Sequence, residues 1–293
     1  MTKVKKMSLL IAAFPETNKI GRNVARALNA DFTEISVQEF PDSEYHLKLK
    51  KNPKGREVII INSIIKEVDN KIVETVLAGG IARDYRAKKV TLVATYFPYM
   101  RQDKHFEKYD SLSAKYITKI FSNFDDIIAI DPHLHRIHGM KKLGINARSI
   151  SANKLIADYI RKRFKNDFTI IGPDAESSQW SAKIAELLKK KVVILSKTRF
   201  SETKIKQKDF SGKLSKNVII IDDIISTGKT LAGALELAKK HGAKNLFCIG
   251  IHGVLVNGAD KLITKYAELI TTNTIPNKYA KIDVSPLIAE ALR

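Results

Sequence analysis

A chain of 293 residues, 44% of them hydrophobic, can bury a core and is expected to form two domains. Its single cysteine, Cys248, excludes a disulfide framework, indicates a reducing intracellular compartment and is expected to be a buried core thiol. The net charge of +20 is compatible with nucleic-acid binding, polyanionic small substrates or a lysine-rich solvated surface. Because the lysines are scattered and no basic stripe carries stacking aromatics, nucleic-acid binding is disfavoured.

The N-terminus imitates a signal peptide, with a basic start and a short apolar stretch. The stretch from Met7 to Phe14 lacks a clear small-residue cleavage site and continues into Pro15 and Glu16, which favours a buried first strand. No run approaches the ~20 apolar residues that span a membrane. We therefore expect a soluble, cytoplasmic protein with no membrane partner.

Short β-branched runs alternate along the chain with stretches of helical periodicity. The predicted strands are Leu9–Ala13, Glu57–Asn62, Val90–Thr95, Ile127–Ile130, Thr169–Gly172, Val192–Leu195, Val218–Ile221 and Leu246–Ile251. The predicted helices are Ile20–Leu28, Ile72–Tyr85, Ala152–Phe164, Ser181–Leu188 and Leu231–His241. The alternation predicts an α/β fold whose parallel sheets are covered on both faces.

Two further features of the sequence concern an edge strand and the domain boundary. Tyr45, Leu47 and Leu49 alternate with polar residues, which favours an antiparallel or edge strand with one wet face. No repeat of short period or low-complexity linker marks a domain boundary. A new helical pattern begins after a glycine-containing turn near Arg148–Ser151, so we place the boundary between domains 1–149 and 150–293.

The segment NVIIIDDIISTGKT, from Asn217 to Thr230, has the layout of a phosphate site. A buried strand leads to two carboxylates, Asp222 and Asp223, then to a turn and a helix. The turn offers backbone N–H groups and hydroxyls to an anion at the helix N-terminus. The residues of this turn are Ser226, Thr227, Gly228, Lys229 and Thr230.

The two carboxylates repel phosphate and need a different partner. Sugar hydroxyls donate hydrogen bonds to carboxylates, and a bridging Mg²⁺ also binds them, so a phosphorylated sugar suits the whole segment. One alternative is a nucleotide P-loop ending in Gly228-Lys229-Thr230, but that motif requires glycine where Asp223 stands. Another is that the acidic residues simply terminate a strand.

A hydrophobic strand followed by two aspartates and a TG-x-T turn resembles the phosphoribosyl-pyrophosphate loop of type I phosphoribosyltransferases and ribose-phosphate pyrophosphokinases. The segment YFPYMRQDK, Tyr96–Lys104, is similar to the ATP-holding segment of the pyrophosphokinases, which phosphoribosyltransferases lack. Further segments resemble the pyrophosphokinase family in the family's order, nearly throughout the chain. They are FPDSE at 40–44, LSAK at 112–115, DPH at 131–133, GPDAE at 172–176, KTR at 197–199 and TNTIP at 272–276.

The resemblance implies two type I phosphoribosyltransferase-like domains, each a mainly parallel sheet flanked by helices. Residues 1–149 would form an ATP-side domain and residues 150–293 a ribose-5-phosphate-binding domain. Adenine would stack on Phe40, across a subunit interface of a homo-oligomer that is a dimer or larger. The implied ATP-binding residues are Phe40, Asp42, Glu44, Arg101 and Gln102. The implied ribose-5-phosphate-binding residues are Asp222, Asp223, Ser226, Thr227, Gly228 and Thr230.

The resemblance also implies a Mg²⁺ cofactor held with the help of His133 and Asp174. Each residue has an alternative. His133 could join His135 and His138 in a zinc cluster, although no cysteine or obvious fourth ligand is nearby. Asp174 could cap the helix that follows it, a role compatible with metal binding.

Lys197 and Arg199 are the implied catalytic residues, on a mobile loop that closes over the transferring group. They could instead belong to the basic surface, as could Arg101. The position of Arg101 directly after an apolar strand favours a ligand crevice. The spacing of Lys197 and Arg199 favours function, because residues two apart in an extended chain point the same way.

The sequence departs in two places from the commonest form of the sugar-phosphate loop. Ser226 replaces a frequent aspartate and resembles the archaeal variant, and it keeps a hydroxyl for hydrogen bonding. Lys229 stands where glycine is usual, although its ammonium group would still attract phosphate. The segment after Asp174 is also less rich in glycine than in the family pattern.

The reaction implied by the resemblance is attack of the C1 hydroxyl of ribose 5-phosphate on the β-phosphorus of Mg-ATP, giving phosphoribosyl pyrophosphate and AMP. A phosphoribosyltransferase, which would consume phosphoribosyl pyrophosphate with a nucleobase, is the alternative enzyme. A catalytically silent regulatory relative is the alternative from another class. The joint presence of Asp131, His133, Lys197 and Arg199 disfavours a silent relative.

Overall fold

The computed structural model describes residues 8–105, 107–134, 140–195 and 213–293, with the backbone of 197–199 and 205–207. The chain forms two compact units. One extends to Ile150 and includes Val284–Arg293, and the other is Ser151–Asp283. The domains 1–149 and 150–293 stay a prediction, because compactness does not show which substrate each half binds.

The first unit is built on a sheet with seven strands in the described part of the chain, in the order β3-β2-β1-β4-β5-β6-β7. The strands are β1 (Leu9–Ala13), β2 (Asp31–Glu39), β3 (Tyr45–Leu49), β4 (Glu57–Ser63), β5 (Lys89–Tyr96), β6 (Asp126–Ile130) and β7 (Ala147–Ile150). The helices are α1 (Asn18–Leu28), α2 (Val68–Asp84) and α3 (Ser113–Ile120). All neighbours are parallel except β2 and β3. The edge strand predicted at Tyr45–Leu49 is thereby confirmed, with Leu47 and Leu49 buried.

The second unit holds a parallel sheet with six strands among its described residues, in the order β15-β14-β13-β12-β8-β9. Its helices are α4 (Asn153–Arg163), α5 (Ser178–Leu188), α6 (Lys229–Lys240) and α7 (Ala259–Thr264). Its strands are β8 (Phe168–Gly172), β9 (Val192–Ile194), β12 (Asn217–Ile225), β13 (Asn245–Gly253), β14 (Glu268–Thr272) and β15 (Ala280–Ile282). A separate antiparallel pair consists of β10 (Lys197–Arg199) and β11 (Ile205–Gln207). The last helix, α8 (Ser285–Ala291), packs against α1 in the first unit.

The β-branched runs lie where the sheets are covered on both faces. Val58–Ile61 of β4 and Val218–Ile221 of β12 are fully buried. Helices on both sides of a parallel sheet leave no wet face, so these strands are continuously apolar instead of alternating. Every strand and helix predicted above is present, with ends that shift by up to four residues, and the predicted α/β fold is confirmed.

Two expectations from composition can be compared with the fold. Cys248 is a free, fully buried thiol on β13, as predicted, and burial raises its pKa, with a further contribution from the charge of Asp222. Within the described ranges, no helix combines the length and the apolar character needed to cross a bilayer.

Candidate functional site

The order in which the chain adds strands to the second sheet reverses at β8. The next strand in the chain, β9, lies on one side of β8, and β12 lies on the other side. In open α/β sheets, ligands bind outside the carboxyl ends of the strands at such a switch point. The chain leaves β8 toward Asp174 and leaves β12 into the turn at Ser226, so both predicted segments border the same crevice.

Asp222 and Asp223 are both buried, with 9% and 2% of their surface exposed. The sequence places them at the end of a strand, but β12 continues to Ile225, because Ile224 and Ile225 still pair with His252 and Gly253 of β13. Successive side chains of a strand point to opposite faces. The two carboxylates therefore lie on the two sides of β12, near its carboxyl end.

The equivalent strand of the first sheet carries no carboxylates at these positions. Residues 57–65 read EVIIINSII and residues 217–225 read NVIIIDDII, and β4 lies beside β1 as β12 lies beside β8. Asn62 and Ser63 are buried where the second strand has its two aspartates. The fold therefore accepts neutral residues here, and since buried carboxylates are costly, Asp222 and Asp223 require a reason outside the fold.

The turn after β12 leads directly into α6. Gly228 is the N-cap, with φ +72° and ψ −2°, a conformation that favours glycine. A Cβ atom on Gly228 would lie 3.2 Å from Ala259 Cβ and 3.2 Å from Ile263 Cδ1. The helix begins at Lys229, two residues before the predicted start, so Lys229 and Thr230 form its first turn.

The start of α6 has features that favour an anion. The first N–H groups of an α-helix have no partner within the helix, and the positive end of its dipole favours negative charge. Ser226 is half-buried and Thr227 is exposed, so their hydroxyls are available beside those N–H groups. The predicted arrangement of carboxylates followed by a phosphate turn is therefore compatible with the local geometry.

Asp174 lies in the loop between β8 and α5. Its Oδ1 atom accepts a hydrogen bond from the backbone N–H of Ser177, at 2.9 Å, just before α5 begins. The N-cap of α5 is Ser177, and it has no side-chain cap, so Asp174 orders the turn before the helix and does not cap the helix itself. Its role toward a metal stays a prediction.

The predicted adenine-binding residues form the tip of the β2–β3 hairpin. The backbone N–H of Phe40 donates to the Glu44 carbonyl at 2.8 Å, and the N–H of Glu44 donates to Asp42 Oδ1 at 3.3 Å. The Phe40 ring is 42% exposed, and Asp42 and Glu44 are also exposed. The hairpin thus presents a ring and two carboxylates to solvent.

Arg101, Gln102 and His133 lie beyond two neighbouring strands of the first sheet. Arg101 and Gln102 follow β5, His133 follows β6, and these parallel strands end at the same edge. Arg101 is exposed, while Gln102 Oε1 accepts a hydrogen bond from Ser113 Oγ at 2.6 Å. The hairpin tip lies three strands from β5, roughly 14 Å away at the usual spacing, so one chain does not gather these groups at one point.

Lys197 and Arg199 lie on β10, whose backbone pairs with β11, so at these positions the chain is a strand and not the predicted loop. Only their backbone is described, and their catalytic role stays a prediction. The zinc alternative involved His135 and His138, which lie outside the described residues. Among the residues that are described, no group of three or more His, Cys, Asp or Glu side chains could hold a metal.

The sequence did not indicate what supports the phosphate turn. The loop after β13 donates backbone hydrogen bonds to the last residue of β12 and the first residue of the turn, from Leu255 to Ile225 at 2.9 Å and from Val256 to Ser226 at 3.1 Å. The TNTIP segment lies beside this support, since Thr274 contacts His252 near the end of β13. The pattern itself gave no role to TNTIP.

Comparison with known proteins relates both units to one family. Residues 9–124 match the N-terminal domain of ribose phosphate pyrophosphokinase, and residues 143–288 match the phosphoribosyl transferase domain. A ribose-phosphate pyrophosphokinase of Pyrococcus furiosus is 32% identical over 90% of this chain and 94% of its own length. Another, from Methanopyrus kandleri, is 28% identical over 97% of this chain and 98% of its own length.

The fold agrees with these sequence relations. The crystal structure of phosphoribosylpyrophosphate synthetase from Mycobacterium smegmatis superimposes with a TM-score of 0.85, at 23% identity, over 98% of each chain. This likeness extends over both units. The identity with the archaeal relative and the order of the two matched domains lead to one conclusion: the chain belongs to the ribose-phosphate pyrophosphokinase family.

Proposed function

We propose that this protein transfers the diphosphoryl group of Mg-ATP to the C1 hydroxyl of ribose 5-phosphate, giving phosphoribosyl pyrophosphate and AMP. The oxygen of the C1 hydroxyl forms a bond to the β-phosphorus, and the bond between the β-phosphorus and the bridging oxygen to the α-phosphorus breaks. AMP leaves with that bridging oxygen, and the hydroxyl proton passes to solvent. Such chemistry requires positioning and charge neutralisation from the protein.

One observation carries the proposal for the sugar. Two buried carboxylates, Asp222 and Asp223, interrupt an apolar strand whose counterpart in the first sheet holds Asn62 and Ser63. Carboxylates accept hydrogen bonds from sugar hydroxyls. The 5-phosphate would lie against the turn and the start of α6, where Thr227 and the N–H groups around Gly228 meet it.

For ATP, the proposal uses the two groups on the first sheet. Phe40 would stack on adenine, Asp42 and Glu44 would accept its hydrogen bonds, and Arg101 and Gln102 would contact the nucleotide. The exposed hairpin tip and its distance from β5 favour binding of adenine by a neighbouring subunit's hairpin. Lys197 and Arg199 would neutralise charge on the transferring group.

The residues present are compatible with Mg²⁺. Carboxylate oxygens such as those of Asp174 and Asp222 are its usual protein ligands, and Mg²⁺ often binds through one or two carboxylates together with water and phosphate oxygens. The lack of a three-residue cluster in the described ranges is consistent with that mode. We propose His133 and Asp174 as its protein contacts; bound there, the ion would neutralise triphosphate charge.

The direct test is incubation of the purified protein with Mg-ATP and ribose 5-phosphate, with products followed by phosphorus NMR. We expect AMP and phosphoribosyl pyrophosphate in equal amounts, and no AMP when ribose 5-phosphate is left out. A coupled assay with a nucleobase separates the alternative, since a phosphoribosyltransferase would consume phosphoribosyl pyrophosphate and leave ATP intact. That result would overturn the proposal.

The catalytic role of Lys197 has its own test. The substitution Lys197→Ala is expected to lower kcat by about 10²-fold or more with little change in ATP affinity, because it removes charge needed in the transition state. Lys240→Ala removes the same charge from an exposed position at the end of α6 and serves as the control. Near-normal turnover of Lys197→Ala would remove this residue from the mechanism.

We also propose a homo-oligomer, as the adenine hairpin requires, in the cytoplasm. The outer face of the α2 and α3 layer supports it: Val73 and Leu77 are 50% and 40% exposed, and Tyr116 and Ile120 are 58% and 45% exposed. Exposed apolar faces of this kind mark association sites. Light scattering should show a dimer or larger, and a monomer with full activity would contradict the proposal.

A further inference from the structure

A buried histidine on the strand beside β12 has no role in the proposed reaction. His252 is 1% exposed and lies near the carboxyl end of β13, beside Ile224 of β12. Its Nδ1 atom is 2.9 Å from the Oγ1 atom of Thr274, a fully buried residue. A buried polar pair of this kind needs its geometry satisfied to avoid a penalty, so it defines one arrangement of the chain.

Thr274 is itself held by the strand that carries His252. The hydroxyls of Thr272 and Thr274 both donate to the Ile251 carbonyl, at 2.7 and 3.0 Å, and the backbone N–H of Thr274 donates to Thr272 Oγ1 at 3.1 Å. When both hydroxyl protons go to that carbonyl, Nδ1 of His252 carries the proton shared with Thr274. The TNTIP segment is thus an anchor for the end of β13.

The loop that follows β13, two residues after His252, contacts the phosphate turn. Its Leu255 and Val256 donate backbone hydrogen bonds to Ile225, the last residue of β12, and to Ser226, the first residue of the turn. Further along, Ala259 at the start of α7 packs against Gly228, as the 3.2 Å approach of a Cβ atom there shows. The turn therefore contacts the loop at Ser226 and α7 at Gly228.

We propose that His252 is a positioning residue for ribose 5-phosphate, connecting the TNTIP anchor to the sugar-phosphate turn. The inference rests on the proposed function, since it takes the turn as the seat of the sugar phosphate. Loss of the His252–Thr274 contact lets the loop shift, and the N–H groups that meet the phosphate shift with it. Displacements near 1 Å cost about 10²-fold in well-oriented sites.

The KM values for the two substrates separate a positioning role from a general effect on stability. The residues proposed to bind the adenine nucleotide lie in the first unit, so the KM for ATP should be unchanged while the KM for ribose 5-phosphate rises. The substitutions to compare are His252→Leu, which removes the nitrogen, His252→Asn, which keeps a donor near the Nδ1 position, and Thr274→Val, which removes only the hydroxyl. We expect about a tenfold rise in this KM for His252→Leu and Thr274→Val, and recovery to within about threefold for His252→Asn.

Thr91→Val is the matched control. Thr91 is 1% exposed on β5, and its hydroxyl has no hydrogen-bond partner among the described residues, so valine should leave both KM values unchanged. Calorimetric titration of ribose 5-phosphate into each variant measures the same effect without turnover. If the wild type binds the sugar phosphate but makes no product, the proposed function fails while the positioning role is still measured.

Two results would overturn the inference. One is an unchanged affinity for ribose 5-phosphate in Thr274→Val, whose fold is checked by its thermal transition. The other is a parallel loss of both substrate affinities and of thermal stability, which a purely structural contact would give. Should His252→Leu fail to fold, Thr274→Val decides the question, because valine has nearly the shape and volume of threonine.

Discussion

The two sheets have the same strand order around their switch points, but the strand–helix junctions beside those points differ in chemistry. In the second unit, β12 leads through buried aspartates and Gly228 into α6. In the first unit, β4 leads through Asn62 and Ser63 into α2, whose N-cap is Glu67, also with a positive φ. A carboxylate at the start of a helix repels a phosphate from the position that Gly228 occupies in the proposed sugar-phosphate site.

The first junction is also closed by an ion cluster. Lys71 Nζ lies 2.8 Å from Glu16 and 2.9 Å from Glu74, and Lys71 and Glu74 side chains are only 14% and 4% exposed. Burial raises the pKa of Glu74, against the influence of Lys71. Burial acts to lower the pKa of Lys71, but its contacts with Glu16 and Glu74 outweigh that effect and raise it. One topology thus carries the proposed sugar-phosphate site in one unit and a buried ion cluster in the other.

The largest effect is expected when the two aspartates of the second junction are replaced by the residues found at the first junction. The double substitution Asp222→Asn with Asp223→Ser should lower kcat/KM for ribose 5-phosphate by about 10³-fold, because charge-assisted hydrogen bonds contribute roughly 1.5–3 kcal/mol each. Steady-state kinetics with varied ribose 5-phosphate measures the loss. The thermal transition should not fall, since β4 shows that neutral residues fit this strand.

The reciprocal control is Asn62→Asp. Asn62 Nδ2 donates to Thr75 Oγ1 at 2.8 Å, and a carboxylate cannot do so, which should cost about 1–3 kcal/mol of stability. Activity per folded molecule should stay unchanged. Equal activity losses in both variants would contradict the contrast between the two junctions.

The sequence predicted the fold through its apolar strands, since fully buried runs such as Val218–Ile221 have few other interpretations. It missed β2 (Asp31–Glu39), because exposed and half-buried positions there dilute the pattern that a central strand shows. It also missed α3 and α7, which are short and bury few residues. Short peripheral elements depend on tertiary packing more than on local propensity.

The site was predictable where residues adjacent in sequence act together. The aspartate pair and the turn around Gly228 are of this kind. The support from His252 and Thr274 was not predictable, because residues 22 positions apart meet only through strand pairing.

Removal of the Lys71 charge from the first junction should have the next largest effect. Lys71→Met leaves Glu74 buried without its partner, and the free energy of unfolding should fall by about 2–4 kcal/mol. A buried carboxyl with a raised pKa binds more protons when folded than when unfolded, so its penalty grows as pH rises through that range. The loss measured by urea unfolding should therefore be larger near pH 8 than near pH 5, while kcat per folded molecule stays the same. An equal loss at both pH values would contradict an ionised, buried Glu74.

One glycine in each unit allows a substitution with a smaller effect on stability, and the two effects should have opposite signs. Gly228→Ala meets both a positive φ and a 3.2 Å contact, and should destabilise by about 1–2 kcal/mol while raising the KM for ribose 5-phosphate. Gly80→Ala on α2 meets no atom within 4 Å in the described part of the chain and should stabilise by about 0.5–1 kcal/mol. Calorimetry checks the opposite signs. A stabilising Gly228→Ala would remove the need for glycine at this turn.

The finest test uses Cys248, the one cysteine of the chain, as a reporter of the second sheet. Its thiol is buried with a raised pKa, so in the native protein it should not react with a thiol reagent, and one equivalent should react in denaturant. At low denaturant, Gly228→Ala should speed labelling by about tenfold, because it loosens the unit that holds Cys248. Lys71→Met weakens the other junction and should leave the labelling rate within about twofold of the wild type. If Lys71→Met exposes the thiol as readily as Gly228→Ala, the two junctions do not open separately. The junctions would then differ in their chemical groups but not in their local free energy of opening.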